Sequence, residues 1–203
     1  MKLFLFLTTF AAVLFGCNNN GNTDHSGHDS TSNKQTSEVE QSEIVRQVKP
    51  AFTSLDANVS THINNLFDHY IHVKTALVNS NVAEAKNGAN AIVDVLKNFD
   101  KSLLPTEQKE AYDKSIRNFR TAADGIATTN DVKKQRESFA SLSNNAYELA
   151  KSFGAGRTLY HDHCPMAFDN KGAMWLSETR EVKNPFYGEK MLTCGTVEEV
   201  IEK

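Results

Sequence analysis

Residues 55–79 read LDANVSTHINNLFDHYIHVKTALVN, and their apolar side chains recur every three or four positions. Such spacing is typical of an amphipathic α-helix, in which residues three, four and seven positions apart share one face. The apolar stripe consists of Val59, Ile63, Leu66, Tyr70, Val73 and Leu77. The stretch therefore predicts a helix that buries one face and exposes the other.

Three further segments show the same period, at about residues 81–104, 106–127 and 131–153. The first of these opens with Asn81, followed three residues later by Glu84, which is the residue pattern of a helix N-cap. The links between segments are only a few residues long, and short links make neighbouring helices antiparallel. We therefore predict a mainly α protein, with an up-down four-helix bundle over residues 46–153.

The helical period stops after residue 153. Gly154 and Gly156 interrupt the fourth helix, and glycine, aromatic and sulfur-containing residues are frequent from there on. Glycine-rich sequence without a helical period favours turns and short strands. We expect residues 154–203 to be an irregular Cys/Met-containing segment of short strands and turns packed on the bundle, with one or two helical turns at about 197–203.

The chain starts with MKLFLFLTTFAAVLFGC, in which one lysine precedes a short apolar run. A secretory signal peptide has this layout, whereas a membrane-spanning helix needs a longer apolar stretch. Leu14-Phe15-Gly16-Cys17 is similar to the lipobox of bacterial lipoproteins, in which acyl chains attached to the cysteine anchor the protein. We predict a signal peptide at residues 1–16 and lipid attachment at Cys17, with an ordinary cleaved signal as the alternative.

Residues 17–45 contain almost no large apolar side chains. Such a composition cannot offset the entropy lost when a chain becomes ordered, so we predict a flexible tether. Its one chemical feature is the sequence DHSGHD at residues 24–29. Solvated tether residues and a weak metal-gathering arm are both open interpretations of this cluster. The expected location is the cell envelope, with the protein anchored in the outer membrane and facing the periplasm.

Two Cys/Met pairs bracket the C-terminal segment, namely Cys164 with Met166 and Met191 with Cys194. Thiolate and thioether are soft donors, and together they select Cu(I) over magnesium, calcium or manganese. His161 and His163 directly precede the first pair, and imidazole suits copper and zinc alike. The combination predicts a soft-metal site. The open alternative is a structural disulfide between the two cysteines, as is common in exported proteins.

The first helix carries a second set of histidines, His62, His69 and His72, which flank the apolar stripe. Residues at these spacings lie on nearly the same face of a helix. Histidines in such positions are more often solvated or hydrogen-bonded than bound to a metal. We therefore regard the three residues as weak secondary metal candidates.

Several functional classes find no support in the sequence. It contains no nucleophile elbow, phosphate-binding loop or HExxH pattern, and Cys-x-Met differs from the Cys-x-x-Cys motif of thiol oxidoreductases. The formal net charge is −3 at pH 7 and no basic stripe is present, which argues against a nucleic-acid partner. We expect a binding protein that is not an enzyme, with a thiol-based redox enzyme as a third alternative.

Both halves of the chain resemble DUF3347, a domain of unknown function in Bacteroidetes-type envelope proteins. The similar stretches are YIHVKTALV at residues 70–78, CPMAFDNKGAMWLS at 164–177 and NPFYGEKMLTCG at 184–195. The resemblance covers about residues 55–200. Members of the family occur as stand-alone lipoproteins and fused to periplasmic adaptors of heavy-metal efflux systems, which implies the handling of copper or a related metal.

Residue by residue, the resemblance points to four sulfur ligands, Cys164, Met166, Met191 and Cys194. We therefore expect a lipoprotein that binds Cu(I), with Ag(I) as a second candidate, and that buffers the ion or delivers it to a heavy-metal efflux adaptor. The rival hypothesis is a protein-interaction module. In that case a disulfide between the cysteines holds a loop from which Trp175, Phe186 and Tyr187 contact a partner protein.

Overall fold

The computed structural model describes residues 45–203, and the structural statements below concern these residues. The predicted signal peptide at residues 1–16 and the predicted lipid-attachment residue Cys17 lie outside this range. The same holds for all but the last residue of the predicted tether, including its His/Asp cluster. None of the helices in the described range is long and apolar enough to cross a membrane.

Four long helices dominate the fold. They are α1, Ala57–Val78; α2, Val82–Lys97; α3, Thr106–Thr128; and α4, Val132–Phe153. Each helix packs against the next one along the chain, and α4 also packs against α1. All six residues of the stripe predicted on α1 are buried, as are the large apolar residues Phe119 on α3 and Phe139 on α4. The predicted mainly α architecture is thus confirmed.

Side-chain caps explain where three of these helices begin. Oδ1 of Asn81 accepts a hydrogen bond from the backbone N–H of Glu84 at 3.1 Å, which confirms the cap predicted for α2. Asp56 and Asp131 cap α1 and α4 in the same way. These contacts satisfy backbone donors that the first helical turn leaves without partners.

The second helix is shorter than its apolar period predicts. It ends at Lys97, and a 3-10 helix at Lys101–Leu103 replaces the last predicted turn. Asp100 caps this 3-10 helix by accepting a hydrogen bond from the N–H of Ser102 at 2.9 Å. The Asp100 cap therefore starts a separate, tighter helix after α2. Leu103 lies in this 3-10 helix and is exposed, whereas the apolar period predicts it on the buried face of α2.

A four-stranded sheet organises the C-terminal segment, which contributes three of its strands. Its strands are β1, Arg46–Val48; β2, Leu159–Cys164; β3, Ala173–Ser177; and β4, Thr196–Ile201. Their order is β1-β4-β2-β3, with β2 antiparallel to both neighbours and β1 parallel to β4. A single turn with largely left-handed backbone, α5, Ala167–Asn170, and a 3-10 helix, Gly188–Met191, lie in the connections. The predicted short strands are confirmed.

Two details of the C-terminal prediction differ from the structure. The helical turns expected at about residues 197–203 are wrong, because this stretch forms strand β4. Its β-branched residues favour a strand, and pairing with β1 and β2 supplies the backbone partners. The bundle predicted from residue 46 also begins later, because residues 46–48 form the sheet strand β1.

Tyr70 links the bundle to the sheet. Its hydroxyl accepts a hydrogen bond from the backbone N–H of Leu176 on β3 at 2.9 Å and lies 2.8 Å from Oγ of Ser143 on α4. The ring stacks on Phe139, with centroids 5.3 Å apart. One fully buried side chain on α1 thus contacts both α4 and β3, which fixes the sheet on the helices.

We predict that Tyr70→Phe lowers the free energy of unfolding by about 1–3 kcal/mol, because the Leu176 N–H loses its acceptor inside the protein. Tyr160→Phe is the matched control, since Tyr160 is only half-buried on β2. Urea denaturation of both variants and the wild type measures the difference. Equal stability of the two variants would contradict the role assigned to the Tyr70 hydroxyl.

Candidate metal centre

The two cysteines of the described region meet at one edge of the sheet. Cys164 is the last residue of β2 and is fully buried, whereas Cys194 lies in the turn before β4 and is half-buried. Their Sγ atoms are 2.7 Å apart although the residues are 30 positions apart, and both are free thiols. Because His163 pairs with Thr196, the end of β2 lies beside the turn that carries Cys194.

Asn184 fixes the turn that presents Cys194. It is fully buried, and its side-chain amide donates a hydrogen bond to the carbonyl oxygen of Cys194 at 2.8 Å. Its Oδ1 accepts from the backbone N–H of Phe186 at 2.8 Å, and its own N–H donates to the carbonyl of Leu192 at 2.7 Å. The sequence reasoning missed this residue. Its signal was an amide residue directly before proline in NPFYG, a pattern typical of turns.

Close packing requires a glycine directly after Cys194. Gly195 has φ of +140°, and a Cβ at this position would lie 2.9 Å from Cη2 of Trp175 and 3.0 Å from the carbonyl oxygen of His163. Backbone and a buried indole cannot retreat far, so a side chain at residue 195 would push the turn away from β2. Gly195 therefore keeps Cys194 close to Cys164.

The methionines of the two sulfur pairs lie in the segments beside the cysteines. Met166 follows Cys164 at a corner that Tyr187 holds, since the Tyr187 hydroxyl donates to the Met166 carbonyl at 2.6 Å. The Met166 side chain is 47% exposed. Met191 ends a 3-10 helix, and its carbonyl accepts the N–H of Cys194 at 3.1 Å. Met166 therefore offers surface to solvent and to a partner.

The corner after Met166 has an uncommon backbone. Phe168, Asp169 and Asn170 have φ of 52°, 59° and 65°, and Gly172 follows at 79°. This left-handed conformation costs an L-residue roughly 1–2 kcal/mol, less for aspartate and asparagine. The sequence alone does not predict three such residues in a row. They turn the chain from β2 into β3 and leave the Cys-Pro-Met corner at the edge of the sheet.

Cys164 and Asp162 lie on the same face of β2, because alternate residues of a strand point the same way. Asp162 is fully buried, and neither carboxylate oxygen has a hydrogen-bond partner. Burial raises the pKa of Asp162 to about 8, while the charge of Lys74 acts in the opposite direction. The carboxyl group is therefore largely neutral at pH 7. The sequence reasoning did not single out this residue.

The Cys164 thiol influences the protonation of Cys194. A hydrogen bond with the Cys164 thiol is the main cause that raises the pKa of Cys194 to about 11, and burial adds to it. At neutral pH Cys194 therefore holds a proton that a bound metal ion or an oxidation must displace. The arrangement suits a soft cation that replaces protons, and it equally places the two sulfurs for a disulfide.

His161 and His163 are not brought to the cysteine pair. They lie on the face of β2 opposite Cys164, where Nδ1 of His163 is 2.9 Å from Oε1 of Glu198 and the His161 ring stacks on Tyr147. Within residues 45–203, no three His, Cys, Asp or Glu side chains already form a group that could hold a metal ion. Strand β2 therefore separates the cysteine pair from His161 and His163.

The three histidines of α1 have separate surroundings. Nε2 of His62 is 2.8 Å from the Tyr112 hydroxyl, and its ring stacks on Phe99 with centroids 3.7 Å apart. His72 pairs with Glu84 at 2.9 Å. His69 and His62 line a cleft of about 630 Å³ between α1 and α2. The structure thus gives His62 and His72 partners within the bundle and does not bring the three rings to one point.

Comparison with known proteins gives one family match, which covers most of the helical bundle. Residues 66–158 match the family model DUF3347, described as a protein of unknown function. This match confirms the family resemblance over most of the bundle. It ends before β2, so the Cys/Met motif lies outside the matched range. No curated protein and no solved structure significantly matches the chain.

We predict that Asn184→Ala slows formation of the Cys164–Cys194 disulfide under mild oxidation, because the turn that holds Cys194 loses its side-chain contacts. The free energy of unfolding of Asn184→Ala should also be lower than that of the wild type by about 1–3 kcal/mol, since buried backbone groups lose their hydrogen-bond partners. Asn144→Ala, on the exposed face of α4, is the control. Timed alkylation of free thiols measures the rate, and an unchanged rate would refute the positioning role.

A second prediction concerns pH. Burial lowers the pKa of His62 to about 4, whereas an unfolded histidine titrates near 6.5. Between these values the unfolded state binds a proton that the folded state does not, so the contribution of neutral His62 is complete above pH 6.5 and is lost as pH falls towards 4.

In the wild type, the free energy of unfolding should therefore fall with pH between 6.5 and 4 more steeply than in His62→Gln. The difference between the two slopes should reach up to about 1.4 kcal/mol per pH unit. Urea denaturation at several pH values between 4 and 7 measures the slope. His69→Gln serves as the control, because His69 is less buried. Identical slopes for wild type and His62→Gln would disprove the effect.

Proposed function

We propose that this chain, which carries a match to DUF3347 over residues 66–158, is a lipid-anchored envelope protein that binds Cu(I) at Cys164 and Cys194. It buffers the ion or passes it to a heavy-metal efflux adaptor. The proposal rests on the convergence of the two Sγ atoms, which lie 2.7 Å apart although one comes from the end of β2 and the other from the turn before β4. Ag(I), another soft monovalent ion, is the second candidate cargo.

The donor set fits a soft cation. Two thiols converge, and each is followed or preceded within three residues by a methionine. Sulfur ligands select Cu(I) over the hard cations, which prefer oxygen. Thiolates would supply negative charge, and the thioethers of Met166 and Met191 would add neutral ligands that need no deprotonation. Histidine is left out of this set because β2 places His161 and His163 on its other face.

Partial exposure of the site supports transfer to a partner. Cys194 is half-buried and the Met166 side chain is 47% exposed, so a partner's sulfur ligands could approach the ion while Cys164 still holds it. Transfer by ligand exchange needs such access. Because protons leave the thiols on loading, acidification should favour release. A lipid anchor at Cys17 would place this exchange at the membrane surface beside an efflux adaptor.

The disulfide-held interaction module is the second candidate. The S–S bond of a disulfide is about 2.05 Å long, so the two sulfurs, 2.7 Å apart, need to move only a little closer for oxidation to join them. The structure exposes less aromatic surface than the interaction-module hypothesis expects. Trp175 is fully buried and Phe186 nearly so, and of the three aromatic residues only Tyr187 offers surface to a partner.

The test is an anaerobic competition titration of Cu(I) between a chelator and the reduced full chain carrying Cys17→Ser, which leaves two thiols. We expect one tightly bound Cu(I) per chain and an affinity at least about 100-fold lower in Cys164→Ser/Cys194→Ser. Met166→Leu should weaken binding less, by about tenfold.

Met174→Leu is the control for the methionines, because Met174 lies on β3 outside both sulfur pairs. If the reduced protein leaves Cu(I) with the chelator, or if the double serine variant binds as tightly as the parent, the copper proposal fails. In the first case the interaction module becomes the better explanation of the cysteine pair.

A further inference from the structure

A β-bulge lies where β2 pairs with β4. Between the pairs His161–Glu199 and His163–Thr196, β4 contains one residue more than β2, and the extra residue is Glu198. An extra residue re-aims the neighbouring side chains, and bulges recur next to functional sites. Here the bulge brings the consecutive carboxylates of Glu198 and Glu199 beside the two imidazoles of β2.

The distances within this cluster approach those of a metal site. Nδ1 of His163 is 2.9 Å from Oε1 of Glu198, and Nδ1 of His161 is 4.0 Å from Oε2 of Glu198. Bonds of about 2.0–2.1 Å in a tetrahedral zinc site set ligand atoms about 3.3 Å apart. The two observed separations fall on either side of this value. Within residues 45–203 these side chains do not surround one point as they stand, so binding an ion requires them to move.

His161 lacks the partners that a buried polar side chain normally has. Its side chain is more than nine-tenths buried, and neither ring nitrogen has a hydrogen-bond partner. Such unsatisfied groups are uncommon and cost about 1–3 kcal/mol. Stacking on Tyr147, at 4.4 Å between centroids, fixes the ring plane but satisfies neither nitrogen. Neither ring nitrogen of His161 is occupied by a protein partner, so a lone pair is available for a metal ion.

The charges around the cluster leave one carboxylate, that of Glu198, without a lysine or arginine partner among the ion pairs of residues 45–203. Glu199 is buried, accepts a hydrogen bond from the Tyr147 hydroxyl at 2.6 Å and pairs with Arg46. Lys151, the other nearby cation, is paired with Glu148 at 2.8 Å. Arg46 thus offsets Glu199, and the negative charge of Glu198 remains available to a cation.

We propose that His161, His163 and Glu198 form a second metal site, for a divalent ion of the Zn²⁺ or Cu²⁺ class, with Glu199 as the adjoining carboxylate. Imidazole and carboxylate ligands suit these ions, whereas the sulfur pair suits Cu(I). Strand β2 would then carry ligands for a soft monovalent ion on one face and ligands for a divalent ion on the other. This site uses none of the sulfur ligands, so it does not depend on the copper proposal.

The test is calorimetric titration of Zn²⁺, and separately of Cu²⁺, into the full chain carrying Cys17→Ser, Cys164→Ser and Cys194→Ser, so that no thiol can bind. We expect about one ion per chain and an affinity at least about tenfold lower in Glu198→Gln and in His163→Asn. Both substituted residues are partly exposed, so the fold should persist, which circular dichroism checks.

His69→Asn and Glu137→Gln are matched controls outside the cluster, and His25→Asn/His28→Asn tests the tether histidines. All three should leave the affinity unchanged. Because Cys164 is buried, its replacement by serine could disturb packing. The same titration is therefore repeated on protein that keeps Cys164 and Cys194, joined in a disulfide so that neither thiol can bind metal. Equal zinc affinity with and without Glu198→Gln and His163→Asn would overturn the proposal, as would binding that disappears only in the tether variant.

Discussion

The antiparallel pairing of β2 with β3 and β4 is the interaction on which both candidate sites depend. It aligns the end of β2 with the start of β4 and so brings two cysteines together from 30 positions apart. On the opposite face the same pairing, with its bulge, brings two carboxylates to two histidines. Tyr70 holds β3 to the bundle, so the helices serve as the rigid support of this sheet.

The four helices were predictable because their signals are local. Each apolar stripe repeats every three or four residues, and a cap such as Asn81 acts within one turn. Strand β4 was predicted as helical turns, because a six-residue strand owes its conformation to partners far away in the sequence. The hydrogen bond from Asn184 to Cys194 and the bulge at Glu198 depend on residues farther along the chain, and only the Asn-Pro turn pattern at 184–185 was visible in the sequence.

The candidate site shows what closeness in sequence can and cannot predict. Grouping Cys164 with Cys194 rested on matching chemistry at the two ends of one segment, and the structure brings these residues together. Grouping His163 with Cys164 rested on adjacency alone. In a strand adjacent residues point to opposite faces, so the imidazole and the thiol face different neighbours. Assigning residues 159–164 to a strand is enough to separate the two ligand types, because strand alternation alone places them on different faces.

The most direct test of the account is copper K-edge X-ray absorption spectroscopy of the reduced full chain loaded with one equivalent of Cu(I), with Cys17 replaced by serine. A Cu(I) ion held by Cys164 and Cys194 should show a first coordination shell of sulfur alone, since both histidines of β2 lie on the other face. A shell that contains mainly nitrogen or oxygen, or a spectrum unchanged by Cys164→Ser/Cys194→Ser, would contradict this prediction.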